Sequence, residues 1–188
     1  MRVAAQITSD ERFDLLALGK AWKARALVEQ HTQAPEAEVL IQQALEDVVR
    51  RSPWIRVRIS YAAGDIALKQ GDNVEALKHF TSAAEALEKY GGEGGGYQIK
   101  PRLGMALLGV DVAAAEREFE DLRDLRGIPV GNLYGIYGLA LVAYKRGQRS
   151  RAETLVEEAL QQLKKNATSN LLWRLFDDLY SKLKREAA

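Results

Sequence analysis

The sequence predicts an all-α protein built from about four antiparallel helical hairpins and a C-terminal helix. Apolar residues recur three and four positions apart along almost the whole chain, and the alternating runs typical of strands are rare. Between residues 73 and 90, the apolar residues form one stripe and the charged residues lie largely off it, which is typical of a helix with one buried face. The chain also contains internal repeats. Equivalent positions of four successive repeats are occupied by Ala37, Ala76, Ala115 and Ala152, at spacings of 39, 39 and 37 residues.

Two further columns keep the register of these alanines. Four residues after each alanine come Ile41, Phe80, Phe119 and Val156, and three residues later come Ala44, Ala83, Leu122 and Ala159. Three of the repeats also have a glycine just before the second helix, at Gly71, Gly109 and Gly147, where a turn needs an unusual backbone conformation. We therefore predict hairpins over residues 9–49, 57–90, 97–126 and 133–166.

The hairpins differ in how regular they are. The first has a long leading helix, and the second has the clearest pattern. In the third, Pro101 predicts a shortened first helix, because proline lacks the amide hydrogen that a helix interior needs. Residues 91–96 are nearly all glycine and predict a flexible connection, and residues 127–132 predict a firmer break before the fourth hairpin. We expect both to be loops within a single domain, residues 1–188.

The chain ends in a helix predicted over residues 169–186, with a broad apolar face. Its candidate contact residues are Leu172, Trp173, Phe176, Leu179 and Tyr180. Repeat arrays need a terminal cap that covers the last hairpin, so capping is the favoured interpretation. The alternative is a homodimerisation helix.

The second hairpin resembles the tetratricopeptide repeat (TPR) family, whose second helix reads Ala-x-x-x-Phe-x-x-Ala. The residues that carry the resemblance are Gly64, Gly71, Ala76, Phe80 and Ala83. The resemblance implies a right-handed superhelical array, a TPR-like α-solenoid, in which the first helices line a concave groove. Repeats of 37 to 39 residues exceed the family's usual length of about 34. They are similar to the longer hairpins of bacterial sensor and regulator arrays.

The resemblance also implies which side chains face the groove: Arg58, Tyr61, Asp65, Lys69, Tyr97, Lys100, Tyr134, Tyr137, Leu141, Tyr144 and Lys145. Five of the seven tyrosines are in this set, and tyrosine is favoured at binding surfaces because it joins an apolar face to a hydroxyl. The alternative is that the rings of the fourth hairpin pack against neighbouring hairpins or the C-terminal helix. A groove with aromatic and basic side chains suits a peptide with apolar anchors and some acidic flanks.

Composition argues against several other functions. The net charge is +1, with 27 Lys and Arg against 26 Asp and Glu, so there is no broad basic surface for nucleic acid or an anionic membrane. The chain has no cysteine, and its two histidines, His31 and His79, have no partner at metal-ligand spacing. We expect a soluble cytoplasmic protein with no catalytic residues, metal or cofactor.

These observations predict a non-catalytic scaffold that binds a protein or peptide in its groove. Two alternatives stay open. One is a regulatory sensor that responds to a small ligand or a peptide, and the other is a structural protein that forms homo-oligomers, with a homodimer as the simplest case.

Overall fold

The computed structural model describes residues 9–30, 34–48, 53–89, 96–125, 127–166 and 170–185. These residues fold into α-helices joined by short connections, without a strand among them, so the predicted all-α class is confirmed. In chain order the helices are α1 (Ser9–Glu29), α2 (Ala34–Val48), α3 (Pro53–Gln70), α4 (Asn73–Lys89), α5 (Gly96–Val110), α6 (Val112–Arg123), α7 (Pro129–Lys145), α8 (Arg149–Asn166) and α9 (Asn170–Arg185).

The helices group into two compact units, Met1–Ile99 and Lys100–Ala188. In the first unit α1 packs against α2, α3 packs against α4, and α3 also contacts both α1 and α2. In the second unit α7 packs against α6, α8 and α9, and α8 packs against α9. Helices adjacent in sequence, such as α1 and α2 or α7 and α8, are thus neighbours in space, as expected for hairpins. The interpretation of the whole chain as one domain stays a prediction.

The three repeat columns form the interior of the helix pairs. All twelve of their side chains are buried, and the most exposed of them, Ile41, has 8% of its surface accessible. Alanine at the first column lets the backbones of two helices approach closely, and the larger residue four positions later fills the adjacent space. In the third hairpin the larger residue is Phe119, which lies so close to α5 that a β-carbon on Gly104 would come within 2.6 Å of its ring.

Two of the three predicted glycine turns have the expected left-handed backbone. Gly71 has φ of 82° and Gly147 has φ of 73°. In the third turn, predicted over residues 108–111, the expected role of glycine was wrong, because Gly109 lies inside α5. The chain turns instead at Asp111, whose carboxylate accepts hydrogen bonds from the amides of Ala113 and Ala114 at 2.9 and 3.0 Å. A side-chain cap of this kind satisfies the first amides of α6, and no left-handed residue is needed.

The two proline predictions have different outcomes. Pro101 does not interrupt the first helix of its hairpin, since α5 runs from Gly96 through Pro101 to Val110, but at 15 residues α5 is shorter than α1, α3 and α7, which have 21, 18 and 17. As the sixth residue of α5, Pro101 removes one intrahelical hydrogen bond, and the helix continues past it. The break before the fourth hairpin is shorter than residues 127–132, because α7 begins at Pro129. The fixed φ of proline suits the first position of a helix. Of the predicted flexible connection, residues 91–95 lie outside the described residues.

Candidate functional site

A cavity of about 420 Å³ opens in the first unit and is lined mainly by α1 and α3. We call it the α1/α3 cavity. Helix α1 contributes Leu18, Trp22 and Arg25, and α3 contributes Trp54, Arg58 and Tyr61. The remaining lining side chains are small or aliphatic, at Ala21, Val57, Ala62, Leu87 and Ile99. The cavity therefore has aromatic and aliphatic walls with two arginines among them.

Helical periodicity explains how these side chains come to one place. On α3, Trp54, Arg58 and Tyr61 are spaced four and three residues apart, so they lie on one face. On α1, Leu18, Trp22 and Arg25 follow the same spacing. Because α1 and α3 pack against each other, their two faces converge on one cavity.

The aromatic side chains of the cavity differ in burial. Trp22 and Trp54 are each 55% exposed, although both are large and apolar. The guanidinium carbon of Arg58 lies 5.9 Å from the centroid of the Trp22 ring, within the range of a cation–π contact. Tyr61 is half-buried, with its ring edge-on to Phe80 at 5.7 Å between centroids. The two tryptophans are thus accessible at the site, and Tyr61 is anchored to the core.

An ion-pair network lies beside the cavity. The Nη2 atom of Arg25 is 3.2 Å from Oδ2 of Asp65, a carboxylate that is only 4% exposed. The Nε atom of Arg25 is 3.4 Å from Oε1 of Glu29, and the Nζ atom of Lys69 is 3.4 Å from that same oxygen. Arg25 therefore has its charge compensated inside the protein. Of the groove residues predicted on α3, Asp65 and Lys69 belong to this ion-pair network, whereas Arg58 and Tyr61 line the cavity.

The predicted groove residues of α7 are half-buried and pack against the core of the second unit: Tyr134, Tyr137, Leu141 and Tyr144. The ring of Tyr137 meets Phe176 of α9 edge-on, with 5.4 Å between centroids. Burial raises the pKa of the Tyr137 hydroxyl above its ordinary value, and the negative charge of Asp178 adds to the shift. This packing favours the alternative that the rings support α9.

The other predicted groove residues are Lys145, Lys100 and Tyr97. The Nζ atom of Lys145 donates a hydrogen bond to the carbonyl oxygen of Leu108 at 2.5 Å, which joins α7 to the end of α5. Lys100 is half-buried in α5. The side chain of Tyr97 lies outside the described residues.

The predicted contact residues of the C-terminal helix face the same chain. Leu172, Phe176 and Leu179 are buried against α7 and α8, and Trp173 and Tyr180 are half-buried against the same cluster. The Tyr180 hydroxyl also donates a hydrogen bond to a carboxylate oxygen of Glu157 in α8, at 3.2 Å. The apolar face of α9 is thus covered within the second unit, which favours the capping interpretation. Homodimerisation stays a prediction.

Sequence reasoning missed Trp22, Arg25 and Trp54. Trp54 lies one helical turn before Arg58, so extending the predicted face of α3 toward its N-terminus finds it. Trp22 and Arg25 repeat the same spacing on α1, but nothing local shows that their face meets the face of α3. That pairing depends on contacts between residues more than thirty positions apart.

Among the described residues, no group of three or more histidine, aspartate and glutamate side chains is placed to hold a metal ion. His79 of α4 is half-buried, lies 3.4 Å from a carboxylate oxygen of Glu75, and is not among the cavity-lining residues. What the cavity offers is apolar surface and positive charge. No described helix is both long enough and apolar enough to cross a membrane.

Comparisons with known proteins returned no relative. No protein-family model matches the chain, and neither a curated protein nor a solved structure matches it.

Proposed function

We propose that this protein is a non-catalytic interaction module that binds a peptide segment of a partner protein in the α1/α3 cavity. The observation that carries the proposal is the pair Trp22 and Trp54, each 55% exposed on the wall of one cavity. Large apolar side chains that share an accessible concave surface mark interaction sites. Tryptophan is also among the residues that contribute most to binding energy at such sites.

The cavity has suitable dimensions and chemistry for one large apolar side chain of a partner. Its volume of about 420 Å³ lies in the usual range of ligand sites, about 300 to 1,000 Å³. Ala21 and Ala62 are small enough to leave room between the aromatic walls. The Tyr61 ring is held against Phe80, so part of the wall is fixed before a ligand arrives. A preformed wall lowers the entropic cost of binding.

We also propose that the helical hairpins belong to the TPR-like class and stack as a right-handed superhelix. The burial of all three repeat columns and the left-handed glycines at positions 71 and 147 support this proposal. In such an array the first helix of each hairpin faces the ligand, and α1 and α3 hold that position in their hairpins. The proposed peptide site is therefore in the place where this class of protein binds its partners.

A second candidate function, a sensor for a small organic ligand, is favoured by the same cavity volume. A pocket of this size with aromatic walls and few polar groups is also typical of small-molecule sites. The two candidates differ in how much surface outside the cavity contributes. A peptide extends beyond the cavity, whereas a small ligand is held inside it.

Selection from a library of random short peptides tests the peptide proposal. Wild type is compared with the double variant Trp22→Ala, Trp54→Ala, which loses both exposed rings. The matched control is Val74→Ala, Leu171→Ala, which removes two apolar side chains of similar exposure, 56% and 59%, that do not line the cavity. Circular dichroism first establishes that all three proteins are equally helical.

We expect peptides with a large apolar residue to be enriched on wild type and on the control, and not on the tryptophan variant. Equal enrichment on all three proteins, or none on wild type, overturns the peptide proposal. A screen of small aromatic compounds by thermal shift then tests the second candidate. It is supported if a compound raises the melting temperature of wild type and leaves that of the tryptophan variant unchanged.

A further inference from the structure

We infer that the bound peptide carries acidic side chains beside its apolar anchor and that Arg58 is the residue that recognises them. This inference rests on the proposed function, since it names the partner chemistry of the same cavity. Three observations lead to it: the charge of the segment that carries the cavity, the different partners of the two cavity arginines, and the position of Arg58 beside Trp22.

The segment that supplies the α3 side of the cavity is strongly basic within a nearly neutral chain. Residues 48–64 contain Arg50, Arg51, Arg56 and Arg58 and no aspartate or glutamate. Arg58 lines the cavity, and the other three arginines add to the positive charge of the segment, which favours acidic side chains in a bound peptide. We therefore assign the negative charge to aspartate or glutamate side chains of the peptide.

The two arginines of the cavity are in different electrostatic states. Arg25 pairs with the buried carboxylate of Asp65 and with Glu29, so a ligand gains little by approaching it. Among the described residues, no carboxylate lies within salt-bridge distance of the Arg58 guanidinium, whose described interaction is the one with the Trp22 ring. Arg58 is exposed and therefore accessible to a ligand. Within the part of the chain that the structure describes, the positive charge of the cavity without a carboxylate partner therefore lies on Arg58.

The position of Arg58 places a charged contact beside the apolar anchor, since its guanidinium carbon lies 5.9 Å from the centroid of the Trp22 ring. A guanidinium can donate two parallel hydrogen bonds to one carboxylate. A peptide whose apolar side chain enters the cavity beside Trp22 places its neighbouring residues near Arg58. Acidic residues at those places gain the contact, and basic residues are repelled.

Fluorescence anisotropy with three sets of labelled peptides tests the inference. All three sets carry the same apolar anchor, which is chosen from the peptide selection. The residues that flank the anchor are Asp and Glu in the acidic set, Asn and Gln in the neutral set, and Lys and Arg in the basic set. All peptides have amidated C-termini, so a terminal carboxylate cannot supply the negative charge. The proteins are wild type, Arg58→Gln and Arg56→Gln. Arg56 is the matched control, since it is an exposed arginine of α3 that does not line the cavity.

For wild type we expect the acidic set to bind about tenfold more tightly than the neutral set, with the basic set weakest. Arg58→Gln is expected to remove most of this preference and to flatten the salt dependence of acidic-set binding, because an exposed ion pair is screened by salt. Arg56→Gln is expected to change each affinity less than about twofold, the effect of a charge outside the contact.

The outcomes separate this inference from the proposed function. Equal binding of the acidic and neutral sets to wild type overturns the inference and leaves peptide binding intact. An acidic preference that survives Arg58→Gln, or falls equally in Arg56→Gln, overturns the assignment to Arg58 and indicates a diffuse electrostatic attraction. Failure of all three sets to bind wild type overturns the peptide-binding function itself.

Discussion

The ring of Phe80 in α4 lies directly against the backbone of α3 at Gly64. A β-carbon added at Gly64 would come within 2.6 Å of Cε1 of this ring, closer than van der Waals contact allows. Phe80 is fully buried and also meets Tyr61, whose side chain lines the α1/α3 cavity. The close approach of α3 to α4 therefore supports one wall of the candidate site.

We expect Gly64→Ala to destabilise the protein although alanine is the better helix former. Helix propensity favours the change by about 1 kcal/mol, but the rigid Phe80 ring must move to admit the methyl group, and overpacking costs about 1 to 3 kcal/mol. Chemical denaturation measures the free energy of unfolding.

Gly19 provides the matched control for this substitution. It lies inside α1, is exposed, and has no neighbouring atom within 4 Å of an added β-carbon. Gly19→Ala is therefore expected to stabilise the protein by about 0.5 to 1 kcal/mol. Stabilisation by Gly64→Ala to the same extent contradicts the close packing of Phe80.

The ion pairs of Arg25 predict that replacing its two carboxylate partners, Asp65 and Glu29, lowers the stability of the protein by different amounts. Asp65→Asn replaces a buried partner of Arg25 and is expected to destabilise the protein by about 1 to 3 kcal/mol. Glu29→Gln replaces an exposed partner of the same arginine, and we expect a loss below about 1 kcal/mol. Denaturant titrations of both variants compare the two values. Equal losses of unfolding free energy in the two variants would show that the burial of Asp65 adds no stability to its ion pair with Arg25.

The packing of α9 predicts that its two faces respond differently to truncation. Phe176 is fully buried against α7 and α8, so Phe176→Ala is expected to cost about 3 to 5 kcal/mol. Leu171, at 59% exposure on the same helix, is expected to change stability by less than about 0.5 kcal/mol when replaced by alanine. Thermal and denaturant unfolding measure both. A small effect of Phe176→Ala contradicts the role of α9 as a cover for the second unit.

His79 predicts a loss of stability on acidification. Burial lowers the pKa of its imidazole below the ordinary value of 6.5, and the nearby Lys78 charge also lowers it, while Glu75 opposes the shift. Since the folded pKa is depressed, the contribution of the neutral imidazole is fully present above about pH 6.5 and is lost as the pH falls through the folded pKa.

Comparison with His79→Gln isolates this contribution from the titration of carboxylates. Between about pH 7.5 and pH 5, we expect the free energy of unfolding to fall more steeply for wild type than for His79→Gln. Proton NMR of the imidazole gives the pKa directly. Parallel pH profiles, or an imidazole pKa at or above 6.5, contradict the prediction.

Much of the helical framework could be predicted from sequence because it depends on local patterns. The period of apolar residues identified the helices, and the repeat register identified interior positions such as Ala76 and Phe80, which are fully buried. Local patterns were less reliable at helix ends. Gly109 was predicted as a turn from its similarity to Gly71, yet the nearby Asp111 caps α6 and leaves Gly109 helical.

The candidate site could be predicted only in part. Arg58 and Tyr61 were identified from one face of α3, and both line the cavity. The face of α7 has the same kind of pattern, but Tyr137 lies against Phe176 of α9. Amphipathic spacing shows that two residues share a helix face and does not show what that face contacts.

The sequence by itself therefore determined the all-α class, the repeated hairpins and their buried columns, because each follows from residues close together in the chain. Only the tertiary structure decided that Trp22 of α1 joins Trp54 of α3 at one cavity, and that Tyr137 of α7 packs against Phe176 of α9. The physical reason is that helix periodicity is a local property, whereas contact between helix faces depends on the packing of side chains far apart in sequence.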